Sequence, residues 1–252
     1  MSLKDKKVIV TGGSRGLGLG LVEALVSQGA KVTVVARDAE LLGSVAERLG
    51  VSTIAADVTD KAAAHRIIGE IGPDVVALNA GTLPRMGAIE EISWDEFTAA
   101  WETDVKGGLY WVQAALNQPL KPGSRVLVGS SGAALNGSQR SGGYAGAKRM
   151  LWIMAKYANL ASQRKDLGIR FQVIIPRMMI GGTGVGDTAA GAYAEAEGIT
   201  IEEFLGRFGA PMLPRKFGEN IVSILDDPQY DQGFAFGLSG DAGVTIIEEV
   251  AA

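Results

Sequence analysis

The chain has 252 residues, of which 47% are apolar, and a formal net charge of −4. This composition fits a large buried core and excludes a disordered or collagen-like chain, while the acidic balance argues against a nucleic-acid surface. The absence of cysteine excludes disulfides, thiolate zinc sites and cysteine nucleophiles. The single histidine, His65, excludes a metal centre with several histidine ligands, and we interpret it as a partly solvated helix residue.

Short β-branched runs alternate with amphipathic patterns along the first two-thirds of the chain. The runs predict strands at Lys7–Thr11, Lys31–Ala36, Ser52–Ala55, Val75–Asn79, Arg125–Ser130 and Arg170–Ile175. The patterns between them predict helices at Leu17–Gln28, Ala39–Leu49, Lys61–Ile71, Trp94–Leu116 (with a break) and Tyr144–Gln163. Apolar strands separated by helices indicate βαβ units. We therefore expect an α/β fold: a Rossmann-type, doubly wound parallel sheet in a single-domain, three-layer sandwich over residues 1–252.

A glycine-rich stretch, G-G-T-G-V-G at 181–186, follows the last of these strands and leads into a segment of helical character. Long segments over a crevice are often active-site lids, so we predict a substrate lid at about 181–209. A flexible surface loop is the alternative.

A strand, a glycine-rich turn and a helix open the chain. Gly12, Gly16 and Gly18 form G-x-x-x-G-x-G, in which a Cβ would block the approach of backbone N–H groups to a pyrophosphate. The positive end of the following helix would face the same anion. We predict a dinucleotide site here, which also involves Ser14, Arg15 and Leu17.

Charge at the end of the second strand bears on the choice of cofactor. A carboxylate there would bind the ribose 2′-hydroxyl of NAD(H). The strand ends instead at Ala36 and Arg37, and with Arg15 this favours the 2′-phosphate of NADP(H), although NAD(H) remains possible. The alternative is that Asp38 binds the ribose and both arginines are solvated. Asp57, which precedes Val58, either accepts from the adenine amino group or acts as a turn residue or helix cap.

A phenol and an ammonium lie one helical turn apart in Y-A-G-A-K, at Tyr144 and Lys148, after a strand that ends in Ser130 and Ser131. Positions i and i+4 share a helix face, so both side chains can enter one site. A free phenol has a pKa of about 10. A neighbouring ammonium favours its ionisation and so suits it to acid/base catalysis near neutral pH.

With the glycine turn, L-N-A-G at 78–81 and the serine strand end, this motif resembles the short-chain dehydrogenase/reductase family from about Lys6 to Ile175. The resemblance implies hydride transfer between a carbonyl and an alcohol. It implies that Tyr144 is the acid/base, that Lys148 binds ribose and activates Tyr144, and that Ser131, thirteen residues before Tyr144, is the catalytic serine in preference to Ser130. The cofactor would also be bordered by Asn79, Ala80, Gly81, Val58 and Pro176.

Two positions depart from the family pattern. Asp104 stands where an asparagine usually completes a proton relay, so it is either a modified relay residue or a cap at a helix break. Arg177 follows Pro176 where the family has glycine, and its charge would serve an acidic substrate or a salt bridge. Thr183, near Ile180 and Gly182, is a candidate contact of the carboxamide. These departures leave a rival hypothesis: a catalytically weak NADP-binding sensor or interaction protein.

The remaining expectations concern substrate, assembly and location. Apolar pocket walls are expected from Leu83, Met86, Leu135, Met178 and Met179, with polarity from Asn136, Gln139 and Arg140. The resemblance implies a homodimer or homotetramer that pairs the helices carrying Trp101, Trp111, Trp152 and Met154; alternatively, these residues only cover the sheet. We expect a cytoplasmic protein with a small-molecule substrate and neither a nucleic-acid nor a membrane partner, because the N-terminal segment is charged and no apolar stretch is long enough to span a bilayer.

Overall fold

The computed structural model describes residues 2–118, 120–177, 184–208 and 212–247. Within these ranges the strands form a single sheet. They are β1 (Lys7–Thr11), β2 (Lys31–Ala36), β3 (Ser52–Ala55), β4 (Val75–Leu78), β5 (Arg125–Gly129), β6 (Arg170–Pro176), β7 (Ala235–Ser239) and β8 (Gly243–Ile246). Their spatial order is β3-β2-β1-β4-β5-β6-β7-β8, and neighbouring strands are parallel except for β7 and β8.

Helices connect the strands and cover both faces of the sheet. They are α1 (Gly16–Ser27), α2 (Ala39–Leu49), α3 (Lys61–Ile71), α4 (Trp94–Ala100), α5 (Lys106–Asn117), α6 (Ala133–Asn136), α7 (Tyr144–Arg164), α8 (Gly184–Glu197), α9 (Ile201–Gly206) and α10 (Pro214–Asp226). A π-helical turn, Trp101–Val105, joins α4 to α5, and a 3₁₀ turn, Pro228–Tyr230, follows α10. Among the described residues, none of the helices combines the length and the hydropathy of a membrane-spanning segment.

The core has two parts, one on each face of the sheet. Residues of α3, α5 and α7 pack on one face, around Trp111, Phe171 and Ile175. Residues of α1, α2 and α10 pack on the other face, around Leu21 and Phe236. Because both faces are covered, the inner strands are apolar on both sides, and β4 is buried at every position. This is the three-layer, doubly wound Rossmann-type fold predicted from the sequence.

The strand order reverses between β1 and β4, which are neighbours in the sheet although β2 and β3 lie between them in the chain. Thr11, the last residue of β1, pairs with Leu78, the last residue of β4. Loops from these two strands therefore leave in opposite directions and open a crevice at their carboxyl ends, where doubly wound folds bind ligands.

The observed boundaries match the predicted elements closely up to β6. Strands β4 and β5 are each one residue shorter than predicted, and β6 extends by one residue to Pro176. The break predicted inside Trp94–Leu116 is the π-helical turn. The segment predicted as a lid contains α8 and α9, and α8 begins at Gly184, inside the glycine-rich stretch. The short α6 and the C-terminal α10, β7 and β8 were not predicted from the sequence.

Candidate active site

A crevice of about 1070 Å³ runs along the carboxyl ends of β1, β4, β5 and β6. It joins the glycine-rich turn to the start of α7, so the two sequence motifs lie in one site. The residues predicted to contact the cofactor all line it: Gly12, Ser14, Arg15, Gly16, Leu17, Gly18, Arg37, Asp57, Val58, Asn79, Ala80, Gly81, Tyr144, Lys148 and Pro176. Ser131 lines it as well, whereas Asp104 lies behind Lys148 and does not.

The turn between β1 and α1 is built from close backbone approaches that only glycine permits. Gly12 has φ +67°, and a Cβ on it would lie 2.7 Å from the Cα of Ala80. A Cβ on Gly18 would lie 2.1 Å from the carbonyl oxygen of Gly12. No side chain in the described ranges caps the first turn of α1, whose N-cap residue is Arg15. Free N–H groups at a helix N-terminus, reached without obstruction by Cβ atoms, fit the pyrophosphate of a dinucleotide.

Thr11 fixes the end of β4 against this turn. Its Oγ1 accepts hydrogen bonds from the backbone N–H of Asn79 (3.0 Å) and of Ala80 (3.1 Å), and it donates to the carbonyl of Ala77 (3.3 Å). The side-chain amide of Asn79 donates to the carbonyl oxygen of Gly12 (3.3 Å). The L-N-A-G segment is thus tied to the glycine turn, as expected for residues that border a cofactor.

The carboxylates near the ends of β2 and β3 are engaged in local turns. Asp38 Oδ1 caps α2 by accepting from the N–H groups of Glu40 (3.1 Å) and Leu41 (3.0 Å). Asp57 Oδ1 accepts from the backbone N–H and the hydroxyl of Thr59, both at 2.8 Å. The hydrogen bond from the Thr59 backbone, followed by that from its hydroxyl, lowers the pKa of Asp57. Asp57 is therefore a turn residue that also lines the crevice.

Tyr144 is the first residue of α7, Lys148 lies one turn later, and both line the crevice. The Lys148 Nζ lies 5.4 Å from the centre of the Tyr144 ring. Lys148 is buried, with 7% of its surface exposed. A phenol and a buried ammonium thus face the same crevice, where both can meet one ligand.

Asp104 contacts Lys148 directly from the π-helical turn. The Lys148 Nζ and Asp104 Oδ2 are 2.9 Å apart, and the Asp104 side chain is fully buried. The other carboxylate oxygen, Oδ1, accepts from the backbone N–H of Thr82 at 2.7 Å. Burial disfavours the charged form of Lys148, but the charges of Asp104 and Tyr144 and the hydrogen bond to Asp104 outweigh it and raise the pKa of Lys148.

The two serines after β5 have different environments. Ser130 is buried, and its hydroxyl donates to the carbonyl oxygen of Lys148 at 2.9 Å. The Ser131 Oγ accepts from the backbone N–H of Ala133 at 3.2 Å, which leaves its own proton available for a ligand. Ser130 therefore holds α7 against β5, while Ser131 has a free donor beside the crevice.

The substrate end of the crevice only partly follows the sequence prediction. Leu83, Met86 and Asn136 line it, whereas Leu135, Gln139 and Arg140 are not among the described lining residues. Met178 and Met179, predicted as pocket walls, and Thr183, the candidate contact of the carboxamide, lie outside the described residues, as do Ile180 and Gly182 beside it. Pro176 accepts a hydrogen bond from the N–H of Gly132, and Arg177, which follows it, also borders the crevice.

One face of α8 lines the crevice and was not singled out in the sequence. Val185, Ala189, Tyr193 and Glu197 recur every four residues, a spacing that could have revealed this face. The Tyr193 hydroxyl lies 2.9 Å from the Ser138 Oγ, and its ring stacks on Phe204 of α9 with 5.5 Å between the centroids. Glu197 forms an ion pair with Arg207 at 2.5 Å. The wall formed by α8, α9 and the residues just after α9 is thus mostly apolar, and its two charges neutralise each other.

Comparison with known proteins identifies the family. Residues 6–189 match the short chain dehydrogenase family. The cis-2,3-dihydrobiphenyl-2,3-diol dehydrogenase of Paraburkholderia xenovorans is 30% identical over 74% of this chain and 67% of its own length. The sorbitol dehydrogenase of Cereibacter sphaeroides is 28% identical over 72% of this chain and 73% of its own. The L-fucose dehydrogenase of Rattus norvegicus is 28% identical over 94% of this chain and 89% of its own. The chain carrying this crevice therefore belongs to the short-chain dehydrogenase family of oxidoreductases, whose members use nicotinamide cofactors.

Proposed function

We propose that this protein is an NADP(H)-dependent oxidoreductase that interconverts a carbonyl compound and an alcohol. The observation that carries the proposal is the placement of Tyr144 and Lys148, 5.4 Å from ring centre to Nζ, in the same crevice as the glycine turn. A nicotinamide bound in that crevice supplies or takes up the hydride. The names of the three relatives specify sorbitol, L-fucose and a dihydrodiol, and these alcohols support the reaction class.

Each polar residue at the catalytic end has a distinct role in this proposal. Tyr144 gives its proton to the carbonyl oxygen during reduction and takes a proton from the alcohol during oxidation. Ser131 donates a hydrogen bond to the same oxygen and stabilises the charge that develops on it. Lys148 holds the cofactor ribose and, by its charge, favours loss of the phenolic proton. Asp104 is the relay residue behind Lys148, which it contacts at 2.9 Å.

The preference for NADP(H) rests on the charges around the adenosine end. Arg15 and Arg37 are exposed and line the crevice there. Asp38, the alternative ribose ligand, uses its Oδ1 to cap α2. Two guanidiniums beside a carboxylate already engaged by backbone N–H groups favour a 2′-phosphate over a 2′-hydroxyl.

We further propose a single Rossmann domain in which residues 181–209 form the substrate lid. In support, α8 and α9 form a small apolar cluster of their own around Ala190, Ala194 and Phe204, and α8 presents one face to the crevice. The described walls contributed by Leu83 and Met86 are also apolar. Such walls suit a small or medium ketone, aldehyde or alcohol.

A homodimer or homotetramer that pairs α5 and α7 between subunits is the proposed assembly. Trp111, Trp152 and Met154, expected on the paired surface, are instead buried within the chain and cover the sheet. The exposed apolar residues of these helices are Leu109, Tyr157 and Leu160, and Tyr157 and Leu160 expose 60% and 51% of their surface. These residues, with Trp101 of the π-helical turn, support the pairing in place of the buried ones. A cytoplasmic location stays a prediction.

The test is oxidation of NADPH across a panel of ketones and aldehydes, with Tyr144→Phe as the variant. Turnover in the unaltered chain should be lost in Tyr144→Phe, while NADPH binding measured by fluorescence should stay within about fivefold, since loss of one neutral hydrogen bond costs about 1 kcal/mol. Tyr157→Phe is the matched control because its hydroxyl belongs to the exposed face of α7. Retained turnover in Tyr144→Phe would reject the mechanism.

The direct ion pair between Asp104 and Lys148 supports a second candidate: an NADP-binding sensor or interaction protein with weak chemistry. An anion in contact with the ammonium reduces its effect on Tyr144. Tight NADPH binding, no turnover on any carbonyl and no gain of turnover in Asp104→Asn would together favour this candidate over the enzyme.

A further inference from the structure

We propose that Ser138 and Tyr193 together bind a second oxygen of the substrate, so that the carbonyl compound reduced by this chain carries a neutral hydroxyl group close to its carbonyl. The assignment rests on the proposed function and names the class of its substrate: hydroxy ketones and hydroxy aldehydes, with the corresponding diols in the oxidative direction. The two residues belong to different parts of the fold, Ser138 to the loop that leads into α7 and Tyr193 to α8, and both line the crevice.

The two hydroxyl groups share one hydrogen bond and so have one proton to spare. The Ser138 Oγ and the Tyr193 hydroxyl oxygen are 2.9 Å apart, and either of them can be the donor. The Tyr193 oxygen also accepts from the backbone N–H of Arg140 at 3.4 Å. Each hydroxyl carries one proton, and the bond between them uses one of the two. Within the described part of the chain no further acceptor bonds to the pair, so one O–H donor and free lone pairs remain for a ligand in the crevice.

The pair is held in place from both sides. The carbonyl oxygen of Ser138 accepts from the backbone N–H and from the hydroxyl of Ser141, both at 3.1 Å, and Ser141 is buried. The Tyr193 ring stacks on Phe204, with 5.5 Å between the centroids and 5° between the planes. Because both side chains are already fixed, a ligand that binds them loses little free energy in ordering them.

The pair also lies on the same side of the crevice as the groups assigned to the reacting oxygen. The N–H of Ser141 donates to the Ser138 carbonyl, and the N–H of Tyr144 donates to the Ser141 carbonyl, both at 3.1 Å. Each such turn brings its ends within about 7 Å of each other, so the loop folds compactly beside Tyr144. A small substrate whose carbonyl oxygen contacts Tyr144 and Ser131 can therefore direct a second oxygen toward the pair.

The charges around the pair favour a neutral oxygen over a carboxylate. Glu197 lies one turn after Tyr193 on the same face of α8 and also lines the crevice. Its carboxylate is paired with Arg207, and neither α8 nor α9 contains a basic residue. A carboxylate bound by Ser138 and Tyr193 would therefore face the anion of Glu197 while Arg207 is already engaged. A hydroxyl group meets no such repulsion and can both donate to the pair and accept from it.

The experiment compares ketones that differ only in the replacement of a methyl group by a hydroxyl group. The first pair is butanone and hydroxyacetone, and the longer pairs place one or two more carbons between the oxygens. Steady-state oxidation of NADPH gives kcat/KM for each ketone. The unaltered chain should prefer the hydroxy ketone by about tenfold or more in at least one pair, because the plain ketone leaves the free donor of the site unpaired. Equal values in every pair overturn the proposal, and so does a preference for pyruvate over hydroxyacetone, which would place a carboxylate site at Arg177 instead.

Variants of the pair separate substrate binding from a merely structural contact between α8 and the loop. Ser138→Ala and Tyr193→Phe each leave one hydroxyl in place, so each should reduce the preference for the hydroxy ketone only in part. The double variant should reduce it to within about twofold, whatever its effect on butanone itself. Tyr157→Phe, which removes an exposed hydroxyl from α7, is the matched control and should keep the preference. A purely structural contact would lower kcat/KM for both ketones alike, so a preference that survives in the double variant overturns the proposal.

Failure of the second-oxygen site is distinguishable from failure of the proposed function. If both members of every pair are reduced equally well, the oxidoreductase stands and the second-oxygen site fails. If NADPH binds but no ketone of either kind is reduced, the proposed function fails and the second-oxygen site fails with it.

Discussion

The two serines after β5 allow a direct test of the proposal that Ser131 is catalytic and Ser130 is structural. Ser131→Ala removes a hydroxyl whose proton is free, and Ser130→Ala removes one that is committed to the Lys148 carbonyl at 2.9 Å. The two substitutions delete the same atom from adjacent residues, so each serves as the control for the other.

The two substitutions should have different effects because the Ser131 hydroxyl would stabilise the transition state of the reaction, whereas the Ser130 hydroxyl stabilises the folded chain. Removing a donor aimed at a developing oxyanion costs about 10²–10³ in kcat, or about 2.7–4 kcal/mol. Removing a neutral hydrogen bond within the fold costs about 0.5–1.5 kcal/mol of unfolding free energy. The Lys148 carbonyl belongs to the first turns of α7 and can keep a helical partner, so the lower half of that range applies to Ser130→Ala.

The assays are steady-state NADPH oxidation with a substrate from the carbonyl panel, and urea unfolding of each variant. Ser131→Ala should lose about a hundredfold or more in kcat at unchanged stability, whereas Ser130→Ala should lose about 1 kcal/mol of stability and no more than about tenfold in kcat. The reasoning is refuted if Ser130→Ala abolishes turnover while Ser131→Ala retains it.

Two further substitutions test the cofactor end of the crevice and the buried arginine at the start of β5. Arg37→Ala should weaken NADPH binding about tenfold or more and leave NADH binding in place, because only the 2′-phosphate meets the guanidinium; equal losses for both cofactors, or the same loss in the exposed control Arg66→Ala, would contradict this. Arg125→Met should lower the unfolding free energy by about 3 kcal/mol or more, since Arg125 is 1% exposed and its Nε donates to the Gln172 Oε1 at 2.7 Å. A loss below about 1 kcal/mol in urea unfolding would count against that role.

The sequence predicted the first two-thirds of the fold because local and tertiary preferences agree there. Strands β1 to β3 and helices α2 and α3 have the predicted bounds, since β-branched runs end at recognisable caps such as Asp38 and Asp60. A break in the helix after Trp94 was expected, but its π-helical form was not. Asp104, in this turn, contacts Lys148 and Thr82, which are distant in the chain, and local sequence patterns do not encode such contacts.

The C-terminal elements were missed for two different reasons. Helix α10 carries a readable signal, since it starts at Pro214 and buries Phe217, Ile221 and Ile224 on one face. Strand β7 is harder to recognise because Gly237 lies at its centre. A Cβ there would lie 2.6 Å from the Arg177 Cδ and 2.9 Å from the Thr245 Oγ1, so glycine leaves room for side chains from other parts of the sheet.

Motif spacing predicted which residues share the crevice of the candidate site, but it did not predict which atoms they contact. The sequence left Asp104 between a relay residue and a helix-break cap; its carboxylate lies 2.9 Å from the Lys148 Nζ, and the relay role stays a prediction. It also left Asp38 open as a ribose ligand, and the hydrogen bonds from Glu40 and Leu41 show that one of its oxygens is used as a cap. Both outcomes depend on side-chain direction, which neither periodicity nor motif spacing encodes.

The cofactor end of the crevice is formed mainly by backbone groups and the catalytic end by side chains, so substitutions at the two ends should have different effects. The cofactor end consists mainly of backbone held by glycines and by Thr11, whose hydroxyl ties β1 to the end of β4. The catalytic end consists of side chains on α7, the π-helical turn and the end of β5. Tyr144→Phe should therefore change proton transfer while leaving the glycine turn and the hydrogen bonds of Thr11 intact. Binding and chemistry can then be lost separately in this chain, so an inactive variant that still binds NADPH is informative about mechanism rather than about folding.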